Sequence, residues 1–92
     1  MAMPLLTGAA NGVEEAWRIA AVERRLPAQG RGGLPPFWPD IDVRRFLIVQ
    51  HGFLTLDMAR EQLVQRVGSQ RTPSRSAIGR FWQKLDGLEL AQ

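Results

Sequence analysis

Ninety-two residues, 45% of them hydrophobic, are enough for one compact domain with a modest core and too few for two. The chain has no cysteine, which excludes disulfides, thiolate metal sites and cysteine nucleophiles and argues against a secreted, disulfide-stapled fold. The net charge is only +3, but it is uneven: residues 1–59 balance six basic against six acidic side chains, while residues 60–84 set six basic side chains against Glu61 alone.

The opening MAMPLLTGAA has neither a basic leader nor a long apolar run, so no signal peptide or membrane anchor is expected and the chain reads as cytoplasmic. Asn11 followed three residues later by Glu14 makes a capping pair, and Val13 to Leu26 runs without a breaker up to Pro27, which predicts a first helix. Its expected inward stripe is Val13, Ala16, Trp17, Ala20 and Ala21, extended by Leu26, with Ile19 and Val22 off to the side. Only Trp17 is large, so this helix is marginal alone and is expected to pack on the downstream helices or on a second copy as a homodimer.

From Pro27 to Pro39 the sequence PAQGRGGLPPFWP holds four prolines and three glycines, a linker or a strapped-down loop. Phe37 and Trp38 are expected to clasp that extended stretch to the core rather than to serve as a polyproline-type ligand. Asp40 caps a second helix that runs through His51, with Ile41, Val43, Phe46, Leu47 and Val49 or Gln50 inward, Gly52 as its left-handed stop and Phe53 and Leu54 closing the corner. Thr55 caps a third helix, Asp57 favours its positive end, and Leu56, Ala59, Leu63 and Val67 form its buried stripe before Gly68. A six-residue turn, Gly68 to Pro73, leads to a fourth helix capped by Ser74, with Thr72–Pro73 as a competing start. That helix is expected to end near Asp86–Gly87, leaving Leu88 to Gln92 as a tail whose leucines fold back.

The expected fold is therefore all-α, four helices, with a C-terminal trihelical helix-turn-helix and an N-terminal helical arm. Residues 1–39 form the arm and Gly/Pro-rich linker, and residues 40–92 the helix-turn-helix domain.

The fourth helix separates an apolar face (Ala77, Ile78, Phe81, Trp82, Leu85) from a polar, basic one (Arg75, Ser76, Gly79, Arg80, Gln83, Lys84), as a groove-reading helix requires. Bases are read from the N-terminal half of such a helix, so Arg75, Ser76 and Arg80 are the expected base contacts, with Gln83 further along. Thr55, Arg71, Ser74 and Lys84, near helix ends or on the flanks, are the expected phosphate contacts. Eleven of the twelve cations are arginine, whose planar fork suits guanine edges at roughly 1–3 kcal/mol of discrimination per bidentate pair. Gly79 inside the helix implies a close approach, either to DNA or to the preceding helix. Phe81 and Trp82 could stack on unpaired bases, but their spacing fits a core stripe.

An enzyme is not expected. His51 is the only histidine and stands at a helix end, where the dipole accounts for it. The carboxylate pairs Glu14–Glu15 and Asp40–Asp42 lie at helix starts, and GRGG at residues 30–33 lacks the strand-to-helix context of a phosphate loop. No catalytic residue, metal ligand or cofactor is predicted.

The run Ser74-Arg-Ser-Ala-Ile-Gly-Arg-Phe-Trp-Gln-Lys-Leu-Asp86, preceded by a capped helix, the Val43-Arg-Arg-Phe-Leu segment and Leu34-Pro-Pro, resembles small proteins of Mu-like prophages. The resemblance covers residues 34–88 and implies a phage-derived helix-turn-helix protein, a family linked to DNA packaging beside the large terminase. The expected function is sequence-reading binding of double-stranded DNA, as a small transcriptional regulator or a packaging accessory. The alternative is a protein–protein interaction module of the same shape, or a subunit of a larger assembly without direct DNA contact.

Overall fold

The computed structural model describes the backbone of residues 3–29 and 34–88 and the side chains of residues 13–27 and 34–88. Four helices follow one another, α1 (Met3–Gln29), α2 (Ile41–Gln50), α3 (Leu56–Val67) and α4 (Arg75–Gly87), with no strand among the described residues: the fold is all-α.

Three of the four starts are capped as the sequence predicts. Asp40 accepts a hydrogen bond from the Val43 amide at 3.4 Å, Thr55 from Met58 at 3.2 Å and Ser74 from Ala77 at 3.1 Å, each from an extended backbone. Each cap relieves an amide that the helix leaves without a partner, a contribution of about 1 kcal/mol. Gly52 and Gly68, at φ 89° and 90°, turn the chain after α2 and α3 in the left-handed region.

The first helix departs from expectation in extent and in rotation. It begins at Met3, so Asn11 lies within it instead of capping it, and it continues through Pro27 to Gln29. Pro4 stands in its first turn, where a missing amide hydrogen costs nothing, and Pro27 in its last, where few turns remain to be disturbed. Its buried side is Ala21, Val22 and Leu26 with Ile19 at the margin, whereas Val13 and Trp17 are 71% and 49% exposed. Two stripes run along this helix on opposite sides, and the one with the branched side chains faces the core. Polar contacts hold that rotation: Arg18 donates to the His51 carbonyl (3.2 Å), Arg25 to the Leu88 carbonyl (2.7 Å), and Glu23 accepts from both Arg44 and Arg45.

The second helix buries Val43, Phe46 and Leu47 as expected and also Ile48, because α1, α3 and α4 all pack against it. Ile41 instead is 51% exposed, in the first turn beside an open groove. Phe53 likewise stands in solvent, with the Arg18 guanidinium over its ring.

One core cluster draws on all four helices, so α1 and the segment after residue 39 share their apolar interior. The Phe37 ring meets Phe81 edge-on (centroids 5.1 Å apart, 89°) and Trp38 adds a second edge contact at 6.2 Å. Arg44 lies over the Trp38 ring and donates to its carbonyl, so the strap is clasped from both sides. Leu88 folds back and is buried, while residues 30–33 of the linker and Leu90 of the tail lie outside the described residues.

Candidate nucleic-acid interface

The rotation of α4 about its axis decides which residues it offers to solvent. Ile78, Phe81, Trp82 and Leu85 are buried, and the Trp82 indole donates to the Leu47 carbonyl at 2.9 Å. With about 100° per residue, Ser76, Arg80, Gln83 and Gly87 lie on the opposite side, with Arg75 and Lys84 at its two margins. Ser76, Arg80 and Gln83 are exposed, and Arg80 makes no hydrogen bond or ion pair among the described residues. Three of the four expected base-contacting residues, Ser76, Arg80 and Gln83, are therefore brought to one solvent face, and Arg75 stands at its margin.

The link from α3 to α4 is internally tied. Gly68 donates to the Val64 carbonyl, and the buried Thr72 hydroxyl donates to the Gly68 carbonyl at 2.8 Å. Arg60 reaches over from α3 to the Pro73 carbonyl at 3.3 Å. Ser74, and not Thr72, is the cap, so the start of α4 is set by a hydroxyl that retains its own proton for an external acceptor. Thr55 at the start of α3 is in the same situation.

The cations are less free than their distribution along the chain suggests. Arg71, an expected phosphate contact, forms a two-pronged pair with Asp40 (2.9 and 2.7 Å) and reaches Asp42 at 3.2 Å. Its guanidinium pKa is raised by these carboxylates, and its hydrogen bonds hold Asp40 below the ordinary carboxylate range against a smaller opposing effect of burial. Arg75 donates to Asp57 at 2.7 Å, in a pair where both side chains are well exposed. The six cations of residues 60–84 are thus opposed by Glu61 and by three aspartates from outside that stretch, which leaves a local surplus of two. Arg66 is stacked over the Phe46 ring, 4.8 Å from its centroid. Asp40 was legible as a cap, and Asp42 and Asp57 as helix-start charges. Their partners lie 18 to 31 residues away, and nothing local in the sequence announces them.

On the other side of α4, a cleft of about 150 Å³ separates Leu34, Pro35 and Pro36 from Ala77, Arg80, Phe81 and Lys84. Arg80 and Lys84 stand at its polar edge. Beside α2 a second, wider groove of about 610 Å³ has Ile41, Phe46 and Val49 as its apolar floor and Arg45, Arg66 and Arg71 on its rim.

His51 has a partner that the sequence did not reveal: its Nε2 lies 2.7 Å from Asp86 Oδ1, which ties the end of α2 to the end of α4. Among the described residues no group of three or more histidines or carboxylates could hold a metal ion, and no helix is long and apolar enough to cross a membrane. The chain matches no known protein family, no curated protein and no solved structure.

Proposed function

We propose that this protein binds double-stranded DNA through the outward face of α4, with Arg80 and Gln83 reading base edges, Ser76 beside them and Arg75 at the margin. The observation that carries this reading is the exposed Arg80, unpartnered among the described residues, on a helix whose other side is locked into the core by Ile78, Phe81, Trp82 and Leu85. Thr55 and Ser74 place hydroxyls at helix starts, where phosphate oxygens are favoured, and Lys84 adds a cation at the margin. Arg71 joins these phosphate contacts by exchanging Asp42 for a phosphate oxygen. A role as a helix-turn-helix regulator or DNA-packaging accessory, which a resemblance of residues 34–88 to small Mu-like prophage proteins would imply, is part of this proposal, and a homodimer would present two such helices to paired half-sites.

The test is a gel-shift series on random duplex and on selected sites from low to physiological salt. Steep weakening with salt is expected, since each phosphate contact contributes about 0.9 to the logarithmic slope. Replacement of Arg80 and Gln83 by alanine should remove sequence preference. No duplex binding at low salt, or binding indifferent to salt, would overturn the reading.

A second reading is favoured by the groove along α2, where Ile41 is exposed next to Arg45, Arg66 and Arg71: a docking module for an acidic, amphipathic protein segment. Alanine at Ile41 would weaken that interaction and leave duplex binding unchanged.

A further inference from the structure

From Val13 to Ala20 the outward side of α1 is apolar and carries no partner among the described residues. Val13, Ala16, Trp17 and Ala20 are all exposed and recur at the three- and four-residue spacing of one helix face, and Arg24 ends the stripe one turn further on. On the flank of this stripe stands Glu14. Neither Glu14 nor Arg24 makes an ion pair or hydrogen bond among the described residues, whereas the neighbouring Glu23 and Arg25 are both engaged inside the chain.

We propose that this face is covered by the same face of a second copy, in an antiparallel α1–α1 pair. Shape and charge select that occupant and that direction together. In a two-fold antiparallel arrangement, a register that sets Trp17 against the other copy's Ala20 also sets Val13 against Arg24, to within one residue. Each indole then enters the notch left by a small side chain, and each Arg24 lays its aliphatic stem on Val13 with its guanidinium beside Glu14 of the other copy. The stretch from Val13 to Arg24 is about 17 Å long at 1.5 Å per residue, so both notches and both ion pairs fit within one helix face. A parallel pair would instead stack Arg24 on Arg24 and Trp17 on Trp17, with like charges opposed and no notch for either ring.

This inference is independent of DNA binding, because none of its residues lies on α4. The experiment is sedimentation of the full chain, without DNA, from about 1 to about 100 μM, the range that separates a weak pair from a monomer. A concentration-dependent dimer is expected, and Trp17→Glu should be monomeric throughout with unchanged helical circular dichroism, since Trp17 lies outside the core cluster. Glu14→Arg and Arg24→Glu should each weaken the dimer by about tenfold, and the double variant E14R/R24E should restore it. A monomer at all concentrations, a dimer untouched by Trp17→Glu, or single charge variants that leave the constant unchanged would each overturn the proposal. Loss of duplex binding with the dimer intact would count against the functional reading alone.

Discussion

The Trp82 indole N–H donates to the Leu47 carbonyl across 2.9 Å, in a buried contact between two helices and between two residues 35 positions apart in sequence. The bond joins α4 to the last turn of α2 and fixes the rotation of α4, since an indole turned outward would leave that contact and carry Arg80 inward. Trp82→Phe keeps an aromatic ring but removes the donor. It should lower stability by about 1–2 kcal/mol in urea unfolding followed by circular dichroism, the usual cost of a lost buried hydrogen bond. Trp82→Ala should cost about 3–5 kcal/mol through the cavity it leaves.

Aspartates restrain the candidate DNA-binding arginines, and releasing them is a gain-of-binding test. Asp57 pairs with Arg75 and Asp42 with Arg71, both in exposed positions where the pair itself stabilises little. Asp57→Asn and Asp42→Asn should each leave the melting temperature nearly unchanged and tighten binding to random duplex. Each should also steepen the salt slope by up to about 0.9, the effect of one more phosphate contact. Variants that bind as the parent chain does would show that Arg75 and Arg71 stand away from the backbone of the duplex.

Acid should weaken the fold through two carboxylates. The bond from Arg45 holds Glu23 below its ordinary 4.5, burial opposing and Arg44 assisting, and Asp40 is held below its ordinary 3.8 chiefly by Arg71. A depressed folded-state pKa contributes stability that is complete above the unfolded value and lost as pH falls through the folded one. Glu23→Gln should therefore be less stable than the parent near neutrality, and the difference should close below about pH 4.5 as the parent carboxylate becomes protonated. Asp40→Asn keeps a competent cap for α2, so its effect isolates the Arg71 pair, with the gap closing below about pH 3.8. Denaturant midpoints measured across this range check both, and a gap independent of pH would remove the ion pairs as its cause.

The starts of α2, α3 and α4 were legible because a cap is a local signal: Asp40, Thr55 and Ser74 each bond an amide three residues on. The inward side of α4 was legible because Ile78, Phe81, Trp82 and Leu85 are large and the residues between them polar. On α1 the same reasoning was right for Ala21 and Leu26, which are buried, and chose the wrong side for Val13, Ala16, Trp17 and Ala20. Trp17 outweighed Ile19 and Val22 in a sequence that offers two opposed apolar stripes, and the surface formed by α2 and α4, with the polar contacts of Arg18, Glu23 and Arg25, selects between them. The candidate interface was legible as positions and not as charge, because the aspartates that pair with Arg71 and Arg75 are brought there by the fold.

Gly79 allows the fold and the interface to be tested with one substitution. A Cβ built there would meet only the Leu56 side chain, 3.6 Å away, which is ordinary contact, so the packing of α3 on α4 does not require glycine. Its backbone is helical, with no positive φ to relieve. Gly79→Ala should therefore raise stability by about 1 kcal/mol, the helix-propensity difference, with a matching rise in the denaturation midpoint. Gly79 also lies at the half-buried margin of α4 that faces Leu56, next to the side that carries Ser76 and Gln83, where a methyl group would narrow the approach of a surface to the helix backbone. If α4 enters a groove, the alanine variant should be the more stable protein and the weaker DNA binder, with the deficit carried by selected sites more than by random duplex. A variant both more stable and equally avid would show that no ligand approaches the helix backbone on the Gly79 side.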